Sequence, residues 1–213
     1  SINYLTKKVL RYLIANRTYM LKSGLILLSS FCIIFLSLPV AHSIGNDKIK
    51  VIQQFYEECG LNKKSRTLAK LIREDQEQLR KSLSCSIVLS KIAQKKAEEM
   101  AEAGKVTHYG TWGSPNERLI KEGYRLDIPE DAMGSNYVEA VQGGEGIPVT
   151  VLDRFKNSYQ HRVHLFGEHD FFLAQDQMGV GYAYNWESPH VDYWVVYIAS
   201  EKAPVENTEA GEN

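Results

Sequence analysis

The stretch FKNSYQHRVHLF, Phe155 to Phe166, sets Ser158, His161 and His164 three residues apart. On a helix, positions at that interval share a face. Three readings follow: a metal chelate through the imidazoles, a Ser–His dyad, or packing alone. Neutral imidazoles are good ligands for zinc or copper, although a tight site takes three or four protein ligands. A serine nucleophile needs a base within reach, a third group orienting that base, and an oxyanion hole. Ser158 and His161 stand on adjacent turns, but KNSYQ is a helical context without a strained turn, and the chain has no G-x-S-x-G elbow. The H-E-x-x-H pattern of zinc hydrolases is missing too. No catalytic residue is therefore assigned, and Ser158 is read as bonding a helix carbonyl or the neighbouring histidine.

The whole chain sets wider bounds. Its 213 residues carry 25 basic and 26 acidic side chains, so nothing electrostatic points to a nucleic-acid partner. From Gly24 to Ala41 runs GLILLSSFCIIFLSLPVA, preceded by Lys7, Lys8, Arg11, Arg17 and Lys22. A basic leader before an apolar run ending in Pro39 and AHS reads as an export signal over residues 1–43. Cleavage after Ser43 is favoured over an uncleaved signal anchor, since about 18 apolar residues is the lower limit for spanning a bilayer. The remainder is expected to be secreted or in the cell envelope, with membrane contact only through residues 24–41 if the signal is uncleaved. In such an oxidising setting Cys59 and Cys85 either bridge or stay as buried thiols, and sequence leaves both readings open.

The elements that must position the histidines can be read from periodicity. Residues 44–64 read as a helical linker, with Ile49, Ile52, Phe55, Tyr56 and Cys59 at helical intervals up to the break at Gly60. Next, SRTLAKLIREDQEQLRKS sets Leu68, Leu71, Ile72 and Leu79 on one face with Ser65 as N-cap. The helix of SIVLSKIAQKKAEEMAEAG stripes Leu89, Ala93, Ala97, Met100 and Ala101 and closes at Gly104; its small residues imply close approach to another element. SPNERLIKEG carries a capping box, Ser114 with Glu117, and Pro115 at the first helical position. The glycine-rich segment 124–146 reads as turns with one short strand. Pro148 opens a further helix whose Val151, Leu152, Phe155 and Tyr159 face inward. MGVGYAYNW and VDYWVVYIAS then switch to strand character around a hairpin loop at ESPH, and residues 201–213 form a frayed polar tail. Helices first and antiparallel strands later predict an α+β layered domain.

Taken together, these segments resemble the CAP superfamily of cysteine-rich secretory, antigen-five and pathogenesis-related proteins, in its compact bacterial form. The resemblance rests on Leu83, Leu89, Ala93, Ala97, Met100 and Ala101, then His108, SPNERLIKEGY with Arg118, and GSN at Gly134–Asn136 in the place of Gly-Glu-Asn. FKNSYQHR matches W-x-x-S-x-x-H-R, with Phe155 in the tryptophan's place, and MGVGYA with YWVVYIA complete the ordered set over residues 65–200.

The resemblance implies an α–β–α sandwich with a central antiparallel sheet between helix layers, and a cleft holding two histidines and a divalent cation such as zinc. His108 and His161 match those histidines. Ser135 and Ser158 stand where relatives carry acids, which weakens the implied cation site; Glu139, Glu145 or His164 are candidates to complete it. Ser135, Asn136, Ser158, Arg118, Tyr109 and Trp112 are expected around the cleft. Tyr109 and Trp112, in the loop THYGTWGSP, are read as a ligand rim, whereas Tyr137, Tyr159 and Trp186 are read as core. The expected function is an exported binding or interaction module, holding a cation weakly, a small lipid-like ligand, or an envelope or host component. The alternatives are a hydrolase using His161 with Ser158 or a bound metal, and a structural or adhesive surface protein.

Overall fold

The structure, a computed structural model, describes residues 57–203. The export signal, most of the 44–64 linker and the tail beyond residue 203 lie outside these. Within them the fold is an α–β–α sandwich. Its four-stranded sheet runs β1 (Ser84–Cys85), β3 (Gln177–Tyr184), β4 (Asp192–Ala199), β2 (Glu139–Gly143) in spatial order. The β3–β4 and β4–β2 pairs are antiparallel, and β1 adds to β3 in parallel.

One face of the sheet is covered by α2 (Ile87–Ala103), with Leu119 of α3 (Pro115–Lys121) in the same core. That helix packs Leu89, Ala93, Ala97 and Met100 against Tyr193, Val195 and Tyr197. Its small residues meet glycines on the strand below: a Cβ at Gly179 or Gly181 would strike the backbone of Leu89 or Ala93. The opposite face is covered by α1 (Lys63–Glu74), α4 (Pro148–Asn157) and α5 (Tyr159–Phe166), which bury Leu68, Ile72, Val151, Phe155 and Leu165 on Trp194, Val196 and Ile198. Alternation along β4 sends odd-numbered side chains to one layer and even-numbered ones to the other, and all eight but Asp192 are buried.

Local signals explain most boundaries. Ser114 caps α3 in a reciprocal capping box with Glu117, and α2 ends on Gly104 in the left-handed region at φ 68°. Two expectations are corrected. Asn62, not Ser65, caps α1; Ser65 sits three positions in and returns its hydroxyl to the Asn62 N–H. Leu79 does not share the α1 face, because the helix stops at Glu74 and Leu79 is left exposed.

The run from Pro148 is also two helices. Ser158 takes extended backbone at φ −97°, ψ 114°, ending α4 and starting α5. The break turns Tyr159 outward, 71% exposed, rather than into the core.

Cys59 and Cys85 form a disulfide, with Cα atoms 4.6 Å apart. The Cys59 carbonyl accepts the Val180 N–H at 2.8 Å, so residues 59–60 extend the sheet edge begun by β1, and the bridge ties the two pieces together. Arg80 fixes the other end of the helical layer. Its guanidinium donates to the carbonyls of His164, Leu165, Phe172 and Gln175 at 2.6–2.9 Å, closing the ends of α5 and α6 (Asp170–Leu173).

Candidate functional site

A cavity of about 430 Å³ opens where the edge strand β2 begins and α5 passes beside it; His108, Asn136, Glu139, His161 and His164 are among its lining residues, with Tyr137, Tyr159 and Phe172 as aromatic wall. The three histidines arrive from two elements. His108 comes from the loop between α2 and α3, and His161 and His164 come from α5.

The His108 loop is latched to α2. Buried Lys96 donates to the Tyr109 carbonyl at 3.0 Å. Glu99 accepts from the Thr111 N–H at 2.6 Å and the Thr111 hydroxyl at 2.9 Å, while buried Arg118 pairs with its other oxygen at 2.8 Å. Gly110 is required by this latch, since a Cβ there would lie 2.3 Å from the Glu99 carboxylate. Burial would raise the Glu99 pKa, but the Thr111 hydrogen bonds, Arg118 and Lys96 together hold it down at about 2. Burial and the neighbouring Arg118 lower the Lys96 pKa.

His108 itself is oriented from β2. Its Nδ1 lies 2.9 Å from Oε1 of Glu139, whose side chain is fully buried. The second oxygen of Glu139 accepts the Tyr197 hydroxyl at 2.5 Å, across the β2–β4 pair that sets these two residues opposite each other. Asn136 completes the corner: its Oδ1 accepts the N–H groups of Val138 and Glu139, and its Nδ2 donates to the Glu139 carbonyl at 2.9 Å.

The α5 histidines differ. His161 is half-buried, with its ring edge-on to Phe155 at 5.1 Å between centroids. Burial, and then the proximity of His108, lower its pKa. Among the described residues no hydrogen bond engages either of its ring nitrogens. His164 is buried, with Nε2 3.3 Å from the Ile198 carbonyl. Burial, reinforced by Arg80, pushes its pKa to about 3, so it is neutral and donates Nε2–H there.

Of the residues singled out in the sequence, His108, His161, His164, Asn136 and Glu139 line this cavity; Ser135, Ser158, Arg118, Tyr109 and Trp112 do not. Ser158 occupies the α4–α5 junction, and no hydrogen bond among the described residues joins it to His161. Arg118 is engaged by Glu99 beneath the loop. Tyr109 and Trp112 are exposed on that loop, and Tyr137 and Tyr159 supply the aromatic wall instead. Glu145 turns its carboxylate to Arg154 and its carbonyl to the Trp194 indole. The Glu139–Tyr197 pair went unread because a lone glutamate in YVEAVQG carries no local sign of burial.

What the arrangement offers chemically is the imidazoles of His108 and His161 facing shared space. Among the described residues no group of three or more histidine, cysteine or acidic side chains is placed to hold a metal ion. Two imidazoles alone suit a labile, borderline cation such as zinc, not a tight structural site.

No family model and no curated protein sequence matches the chain. Among solved structures, the fold is similar to that of an outer surface protein from Borrelia burgdorferi, with a TM-score of 0.51 and 18% identity over 64% of this chain and 90% of that one. At that identity the likeness concerns the fold.

Proposed function

We propose that this chain is an exported CAP-like binding module of the cell surface or envelope, whose ligand site is the cavity between His108 and His161. The observation that carries the reading is that two histidines 53 residues apart in sequence line one cavity. The export signal read in residues 1–43 and the fold shared with an outer surface protein support the location. The imidazoles bind a divalent cation of the zinc class weakly, and the Tyr137, Tyr159 and Phe172 wall receives the apolar part of a small lipid-like ligand.

Thermal melts of the purified protein with zinc test this. For a Kd of about 10 μM, zinc at about 1 mM adds about 2.7 kcal/mol to stability and raises Tm by several degrees. His108→Ala and His161→Ala each remove the rise. A wild-type Tm indifferent to zinc overturns the cation reading, and no displacement of a fluorescent fatty acid from the cavity overturns the lipid one.

A further inference from the structure

Ser135 offers His108 no carboxylate, and the structure brings one to this imidazole from β2. We propose that Glu139, held by Tyr197, is the positioning residue of His108: it keeps the proton on Nδ1 and leaves the Nε2 lone pair as the atom offered to the cavity. The inference deepens the cation reading above, because it decides which atom of His108 binds and which cations it suits.

Hydrogen-bond accounting at one nitrogen carries the assignment. His108 Nδ1 has two neighbours, Glu139 Oε1 at 2.9 Å and Asn136 Nδ2 at 3.1 Å. The first asks Nδ1 to donate, the second asks it to accept. The orientation of Asn136 is settled, since its Oδ1 takes two backbone N–H groups and its Nδ2 already donates to the Glu139 carbonyl. Buried Glu139 interacts electrostatically with buried Lys96, whose ammonium provides countercharge for a carboxylate. A hydrogen bond to an ionised group is roughly twice as strong as one between neutral groups. The carboxylate therefore wins, Nδ1 carries the proton, and the amide of Asn136 relies on the Glu139 carbonyl.

Both oxygens of Glu139 are already engaged. Oε2 is taken by the Tyr197 hydroxyl and Oε1 by His108. The cavity then presents imidazole nitrogens without a free carboxylate from Glu139. Such a donor set favours zinc-class cations over calcium or magnesium, which need several oxygens. A carboxylate behind a ligating histidine also raises the basicity of the far nitrogen, and its loss costs metal affinity.

Nitrogen-15 NMR of histidine-labelled full-length protein without metal, at about pH 8 where imidazoles are neutral, reads the tautomer directly. His108→Ala assigns the signals. The expected wild-type spectrum has a protonated Nδ1 and an unprotonated Nε2 on His108, and Glu139→Gln shifts the population toward Nε2–H. An Nε2–H tautomer in the wild type, or a Glu139→Gln spectrum identical to it, overturns the proposal. Should Glu139→Gln fail to fold, Tyr197→Phe loosens the same carboxylate, and an unchanged His108 spectrum in that variant counts against the proposal equally.

Zinc titration gives a second readout: Glu139→Gln weakens binding by about 10–100-fold, and calcium at the same concentration gives no Tm shift. A calcium shift lost in Glu139→Gln would make Glu139 a ligand and overturn the proposal. Absence of zinc binding by the wild type overturns the cation reading of the preceding section, while the metal-free tautomer still stands as the test of positioning.

Discussion

Gly181 of β3 lies directly beneath Ala93 of α2, so that a Cβ at position 181 would come 2.1 Å from the Ala93 carbonyl oxygen. The obstacle is backbone, which a rotamer change cannot move. Gly181→Ala is expected to destabilise the fold by about 2–3 kcal/mol, the cost of overpacking a well-packed contact. Urea denaturation measures it. Gly134→Ala, where no atom lies within 4 Å of the built Cβ, is the control and stays within about 0.5 kcal/mol of wild type.

Among the described residues Arg80 has no carboxylate partner; it donates to four backbone carbonyls and the Gln78 side chain. Burial lowers its pKa to about 10, so it remains charged at neutral pH. Arg80→Ala takes a charge-assisted donor from the ends of α5 and α6 and should cost about 3 kcal/mol or more. Arg80→Lys, with three donors instead of five and no planar fork, should recover only part of that. A lysine variant as stable as wild type would show that charge alone, not geometry, closes these helix ends.

His164 sets a pH dependence with a definite sign. Its folded pKa of about 3 lies below the ordinary value of 6.5. Between those two values the unfolded chain takes up a proton that the folded protein refuses. Its stability contribution is therefore complete above pH 6.5 and is lost progressively as pH falls toward 3. His161, also lowered, acts in the same direction. The urea midpoint should fall across this window, and His164→Gln should flatten the fall. An equally steep profile in that variant would assign the acid sensitivity elsewhere.

The Cys59–Cys85 bridge closes a loop with a sequence separation of 26. By loop-closure entropy it should contribute about 3 kcal/mol. Reduction, or the double variant Cys59→Ala with Cys85→Ala, should lower Tm accordingly. The Cys59 carbonyl bonds the Val180 N–H, next to Gly181 on β3, so the loss should couple to that of Gly181→Ala rather than simply add.

Much of the frame was legible because its signals are local. A capping box spans four residues, which is why Ser114 and Glu117 announce α3. The Ala93 and Ala97 stripe foretold a close approach, and the glycines of MGVGYA supply it. Boundaries erred where a local rival competed. Asn62 is a cap as good as Ser65, and continuous helical pattern through FKNSYQHR concealed the break at Ser158.

The residues alone marked the α2 and α3 helices and the strand character of β3 and β4, since these follow from periodicity and caps. They could not decide how Ser158, His161 and His164 would be used. Tertiary structure turned His164 to the Ile198 carbonyl, gave His161 a cavity shared with His108, and left Ser158 at a helix junction. It also supplied His108 with a carboxylate 31 residues away, on a strand whose pairing with β4 brings Tyr197 to the same group. Such a site depends on strand register and on the depth of burial of single polar groups, and both are set by the packing of the whole fold rather than by neighbours in the chain.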